Sequence, residues 1–227
     1  MGSEAEVSFE GRVYRFATHG PADRISRRLL EKRQFHEMRT LCLLRRIGPR
    51  GAYVDVGAHL GNHGVFFACE CPSTEVICCE ADAGNRALLE QNLKANCHKP
   101  WRVIGEMVGR GGEGYDLRDV DPGNTGARAP VPGTAFIARS LDELLAGRTN
   151  IALLKVDVEG AELAVLEGAR KLLQANYPLL VTECGDRRQE RALRELLDPL
   201  GYRLRARRNQ PPNLFWRARK GWLSWHH

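Results

Sequence analysis

Residues 53–64, "YVDVGAHLGNHG", place three glycines and two histidines within twelve positions, directly after an apolar run. Glycine weakens the interior of a helix or strand, so three together mark a tight turn. The run before them, "AYVDV" (52–56), reads as a buried strand. The dinucleotide fingerprint G-x-G-x-x-G, counted from Gly57, requires glycine at 59 and 62, where His59 and Asn62 stand. What remains is D-x-G-x-x-x-G, with Asp55 ahead of Gly57 and Gly61 closing the turn. A carboxylate at that place repels a pyrophosphate and suits a positively charged or amine-bearing ligand.

Outward from this turn the chain alternates. Strands are expected at "EVICCE" (75–80), "WRVIGEMV" (101–108), "IALLKVDV" (151–158) and "YPLLVTEC" (177–184). Helical patterns fall between them at 61–69, 84–96, 161–175 and 187–201. Strands apolar on both faces and separated by helices form a parallel sheet covered on both sides. Ligands in such folds bind at the carboxyl ends of the strands. Residues 1–16 read as a hairpin turning at Glu10-Gly11, and 21–47 as a helix stopped by Gly48-Pro49. Ser140 and Glu143 form a capping box for a short helix. "YRLRARR" and "NLFWRAR" close the chain as an antiparallel pair. The Gly- and Pro-rich stretch 109–135 is expected to be a functional loop or lid. The organisation is therefore an N-terminal hairpin and helical extension (1–48), a main α/β domain (49–220) and a tail (221–227).

The apolar share of 43% supports a real core, and no stretch reaches the roughly 18 apolar residues of a membrane helix. The acidic start "MGSEAEVSFEG" lacks the pattern of a signal peptide, and Glu6 stands where a myristoylation signal has Ser or Thr. Seven cysteines spread through apolar segments point to reduced thiols and a cytoplasmic address. No C-x-x-C occurs, so buried thiols are the preferred reading over zinc. The net charge is +6, with four basic residues in "RLRARR" (203–208) and three in "WRARK" (216–220). These suit an anionic partner, or an edge strand kept from aggregating by its charge. Trp222 and Trp225 in the tail could touch a membrane surface or a partner.

Glu80 ends the second core strand, where an acid accepts both hydroxyls of a ribose. Together with "VDVGAHLGNHG" (54–64) and "SLDELL" (140–145), the stretch "LLKVDVEGAELAVLEGA" (153–169) resembles the FkbM family of S-adenosylmethionine-dependent methyltransferases. "NTG" (124–126), "VTE" (181–183) and "NLFW" (213–216) extend the resemblance over about residues 36–216. It implies an α/β, Rossmann-like, doubly wound and mostly parallel seven-stranded sheet with helices on both faces. It also implies O-methylation, commonly of a hydroxyl on a sugar, glycan or glycosylated natural product. Gly57, Ala58, Gly61 and the adjoining His59 and Asn62 would cradle the methionine part of the cofactor. Asp55 would hold its amino group directly or through water, Glu80 with Ala81 its ribose, and Glu106 or Met107 its adenine. His59 departs from the Asn frequent in the family, and Ala81 from its Pro.

Methyl transfer to a hydroxyl needs alignment and a proton acceptor. "KVDVEGAE" offers Lys155, Asp157, Glu159 and Glu162. Asp157 and Glu159 are candidate catalytic groups, and Glu162 is expected to face solvent or cap a helix. Asp157 and Glu183, from adjacent strand ends, could hold a divalent cation such as Mg²⁺ that acidifies the acceptor hydroxyl. A metal-free site with His63 or Glu159 as base is preferred. Asn124 is the candidate acceptor-binding residue in the long loop. The partner is then a small-molecule or glycan acceptor, with no nucleic acid expected. The alternatives are a nicotinamide oxidoreductase, disfavoured by the broken fingerprint, a nucleic-acid or other small-molecule methyltransferase, and a non-catalytic nucleoside-binding protein.

Overall fold

The computed structural model of the chain describes residues 3–119, 121 and 128–219. Strands β1 (Ser3–Phe9) and β2 (Arg12–Thr18) form the expected hairpin about Glu10-Gly11, followed by α1 (Arg24–Lys32) and α2 (Met38–Ile47). The chain then alternates: β3 (Gly51–Val56), α3 (Asn62–Glu70), β4 (Ser73–Cys79), α4 (Ala83–Asn96) and β5 (Trp101–Ile104). A small antiparallel sheet follows, made of β6 (Gly114–Asp119), β7 (Arg128–Pro132) and β8 (Phe136–Ile137). Next come α5 (Leu141–Leu144), β9 (Ile151–Val156), α6 (Glu162–Glu167), α7 (Arg170–Asn176) and β10 (Leu179–Glu183). Helix α8 (Arg187–Leu197) and strands β11 (Tyr202–Arg208) and β12 (Asn213–Ala218) end the fold.

The main sheet has seven strands in the order β11-β12-β10-β9-β3-β4-β5. Counted along the chain within this sheet, that order is 3-2-1-4-5-7-6 read from the β5 edge. Only β12 runs against the rest. The pleat explains why β3 is buried at all six positions. Tyr53 joins one core with Phe66, Phe67 and the N-terminal hairpin. Val54 and Val56 join the other, beneath α5 to α8, with Val165, Leu173 and Trp216. Residues of the N-terminal extension share the first core: Phe35 meets Phe9, Tyr14, Phe16 and Phe66 edge to face.

The strand expected over 101–108 ends at Ile104, and three further expected elements come out differently. The helix expected over 21–47 is two helices, because the chain turns inward between them to bury Phe35 completely. Arg33 and Glu37, on either side, take left-handed conformations. The helix expected over 161–175 breaks at Gly168. There the backbone passes so close to Gly109 that a Cβ would lie 2.1 Å from its carbonyl oxygen. The stretch 109–135 carries strands rather than being loop throughout. β7 holds Pro130 and Pro132, which an edge strand tolerates because one of its sides needs no N–H donor.

Candidate functional site

Five strand ends converge on a cavity of about 190 Å³ at the carboxyl edge of the sheet. β3 supplies the turn. Gly57 and Ala58 both donate to the Cys79 carbonyl at 3.0 and 3.1 Å, and Asp157 N donates to the Val56 carbonyl at 3.0 Å. The turn is thus pinned between β4 and β9. Gly57 has φ +81°, and a Cβ there would lie 1.8 Å from the Asp157 carbonyl oxygen, so only glycine fits. Gly61, at φ +91°, lets α3 approach Leu89 of α4. Ala58, His59 and Asn62 line the cavity, and Gly61 stands behind them.

β4 delivers Glu80 and Ala81 to the wall. The two Glu80 oxygens accept from His59 N at 2.8 Å and Asp82 N at 2.9 Å, which fixes the carboxylate beside the turn. Burial pushes the Glu80 carboxyl above its ordinary value. Glu106 and Met107 after β5, with Val108 and Leu117, form the adjoining wall. Arg128 of β7 closes this end: it reaches Asp82 Oδ2 at 2.7 Å and Asp119 Oδ1 at 2.9 Å. A glycine cradle that a Cβ would fill, a held acid at the second strand end and an apolar pocket next to it fit an adenine nucleoside with an extended tail.

Asp55 stands behind the wall rather than on it. It is fully buried, and its Oδ1 lies 3.3 Å from Lys155 Nζ. Lys155, itself 1% exposed, also meets Asp157 Oδ2 at 3.1 Å. Burial lowers the Lys155 pKa, but the carboxylates of Asp157, Asp55 and Glu37 outweigh it and keep the ammonium charged.

Asp157 and Glu183 face each other at the ends of β9 and β10. Burial raises both carboxyls. For Asp157 the Lys155 ammonium and the Glu183 hydrogen bond reverse the effect, and it stays ionised. Glu183, beside that charge, is pushed up to about 9 and keeps its proton. Because its pKa is raised on folding, the native state holds a proton that the unfolded chain releases near 4.5, and stability falls as pH climbs from there to about 9. Glu183→Gln should therefore flatten the loss of melting temperature between about pH 5 and pH 9; an unchanged slope would remove Glu183 as its source.

Glu162 is buried, not solvent-facing. Its Oε1 accepts from Val158 N at 3.0 Å and Gly160 N at 3.2 Å, and its Oε2 accepts from Gln189. It braces the 157–161 turn that sets Glu159, at φ +51°, on the cavity mouth. Carboxylate oxygens of Asp157, Glu162 and Glu183 lie within 4.8 Å of one another. A hard cation would have to displace Gln189, Lys155 and the shared proton, so this donor set fits a proton-sharing pair better than a metal cage.

His63, in the first turn of α3, also lines the cavity. Its Nε2 lies 3.1 Å from Glu37 Oε2, and Glu37 Oε1 accepts from Asn209 and Asn213 at 2.6 Å each. Burial alone would raise the Glu37 carboxyl, but the His63 hydrogen bond and nearby positive groups hold it low. Sequence reasoning missed Glu37, Asp23, Leu117 and Arg128. Their signal is absent because each reaches the site from a segment far away in the chain. Asn124 and the two tail tryptophans lie outside the described residues.

A family model described as the methyltransferase FkbM domain matches residues 55–204. Among solved structures, the chain is similar to a methyltransferase FkbM from Methylobacillus flagellatus, with 20% identity and TM-score 0.52 over 74% of this chain and 43% of that one. The chain thus spans less than half of that protein. It is also similar to an rRNA methylase from Streptococcus thermophilus (15% identity, TM-score 0.52, 80% and 95% covered). A ribosomal protein L11 methylase from Lactobacillus delbrueckii shares the fold at 11% identity and TM-score 0.52, with 81% and 79% covered. No curated protein matches the sequence. No helix among the described residues is long and apolar enough to cross a membrane.

Proposed function

The chain belongs to the FkbM methyltransferase family, and from that premise we propose that it transfers a methyl group from S-adenosylmethionine to a hydroxyl of a sugar, glycan or glycosylated natural product. The observation that carries the acceptor half is the acidic wall, where Asp157, Glu159, Glu183 and Glu37 line the cavity beside the glycine cradle. Carboxylates accept hydrogen bonds from hydroxyls and repel phosphodiesters. A nucleic-acid acceptor would instead need cations facing its phosphates. Of the lysine and arginine side chains that line the cavity, Lys155 is spent on Asp55 and Asp157 and Arg128 on Asp82 and Asp119, and Arg24 is outnumbered by the acids of the wall. The basic run of β11 does not line the cavity, and Arg203 and Arg207 are paired with Asp198 and Glu190.

The bound cofactor supplies an electrophilic methyl on its sulfonium. Gly57, Ala58, Asn62 and the backbone of His59 would cradle its methionine part, Glu80 its ribose and Met107 its adenine. Asp157, held ionised by Lys155, would accept the hydroxyl proton as the oxygen attacks. Glu183 donates to Asp157 and fixes its orientation. Glu159, exposed at the mouth, would bind a second acceptor hydroxyl, and His63, anchored by Glu37, would border the reacting groups.

S-adenosylmethionine at a hundredfold excess over its Kd should stabilise the native chain by about 2.7 kcal/mol, read as a rise in melting temperature, and NADH should give no rise. Incubation with methyl-labelled cofactor should transfer label to a glycan extract and not to RNA, as followed by mass spectrometry. Label on RNA alone would overturn the acceptor class. Cofactor binding with no transfer to any hydroxylated acceptor would favour a non-catalytic protein.

A further inference from the structure

Asp23 and His59 meet at one corner of the cavity. Asp23 is 1% exposed and caps α1, its Oδ1 accepting from Ser26 N at 2.6 Å. Its Oδ2 lies 3.5 Å from His59 Nε2, without hydrogen-bond geometry. That oxygen and both ring nitrogens of His59 are buried with no hydrogen-bond partner among the described residues. Buried polar atoms left unpaired in this way are costly, and at a cavity wall they mark a place where a ligand completes the bonding.

The corner adjoins Glu80. The His59 backbone N–H donates to Glu80 Oε2 at 2.8 Å, and the His19 ring, 5.5 Å from that of His59, meets Asn85 Oδ1 at 2.7 Å in the first turn of α4. Burial lowers the His59 pKa, so the imidazole is neutral, with one nitrogen donating and the other accepting. The unmet atoms are therefore one carboxylate acceptor and a ring that both gives and takes. A hydroxyl matches that pair, since it donates once and also accepts; an ammonium only donates.

We infer that Asp23 and His59 complete the ribose-diol site begun by Glu80, so that the N-terminal segment, outside the family match at 55–204, carries part of the nucleoside binding. The inference rests on S-adenosylmethionine being the cofactor. Asp23 then selects a ribose over a deoxyribose, and the family domain without its N-terminal segment would hold the nucleoside loosely.

The test is calorimetric binding of two ligands that share the ribose, S-adenosylhomocysteine and 5′-methylthioadenosine, of which only the first has the amino-acid end. Asp23→Ser retains a capping oxygen for α1 but has no second one to offer. It should weaken both ligands by about tenfold. Against analogues lacking the 2′- or the 3′-hydroxyl, the variant should match wild type for at least one. Asp23→Asn, with its cap and shape kept, and the melting temperatures of the ligand-free variants report on folding separately. A loss confined to S-adenosylhomocysteine would place Asp23 at the amino-acid end and overturn the inference. So would unchanged affinity for both ligands, which leaves Asp23 a helix cap only, or an equal loss for every deoxy analogue. Wild-type chain binding neither ligand would overturn the cofactor reading itself, a result distinct from all of these.

Discussion

Asp157→Asn is expected to lower methyl transfer by about a thousandfold while leaving the affinity for S-adenosylhomocysteine within about threefold of wild type. A positioned proton acceptor contributes roughly 10²- to 10⁴-fold to such a step, and the amide removes the basic oxygen without changing the size of the side chain. Behind this stand the Lys155 contact at 3.1 Å and the raised Glu183 carboxyl, which together hold Asp157 ionised on the cavity wall. Single-turnover transfer separates the chemical step from cofactor binding. If Asp157→Asn retains most of its rate and His63→Ala or Glu159→Gln loses it, the base is one of those residues instead. Full activity in the presence of a chelator would accord with the proton-sharing reading of Asp157 and Glu183, whereas a requirement for a divalent metal would overturn it.

Lys155→Met should destabilise the fold by about 3–5 kcal/mol, the cost of removing one partner from a buried ion pair. The side chain left behind is Asp55, fully buried between the strands, with Lys155 as its one ion-pair partner among the described residues. A loss of that size is a large part of the roughly 5–15 kcal/mol that holds a domain together, so the urea midpoint should fall steeply. The double variant Lys155→Met with Asp55→Asn should recover much of the loss, because it removes the orphaned charge. Two independent losses that simply add would show that the pair is not coupled.

This pair also shows where sequence reading stopped. Asp55 and Lys155 are a hundred positions apart, and each was legible as polar at the end of a predicted strand. Their registry opposite one another across β3 and β9 was not. From the sequence, Asp55 is expected to hold the amino group of the cofactor directly or through water; in the fold Asp55 is fully buried, and its ion-pair partner Lys155 lines the cavity. The glycine turn behaved differently. Its conformation follows from the residues themselves, since φ +81° is a region that glycine enters without strain.

The sequence by itself determined the alternation of strands and helices, the two-sided burial of the sheet, the glycine turn after β3 and the acid after β4. These are local properties, set by hydrophobic period and by the conformational freedom of single residues. Only the tertiary structure decided which distant segments meet at the strand ends. Glu37 is joined to His63 and Asn213 and Arg128 to Asp82, and Asp23 comes to lie 3.5 Å from His59. Those pairings depend on strand order and on how the N-terminal segment turns to bury Phe35, and neither leaves a periodic trace in the chain. Contacts between distant segments are selected by the packing of the whole core, so the residues that complete the site become visible only once that core is assembled.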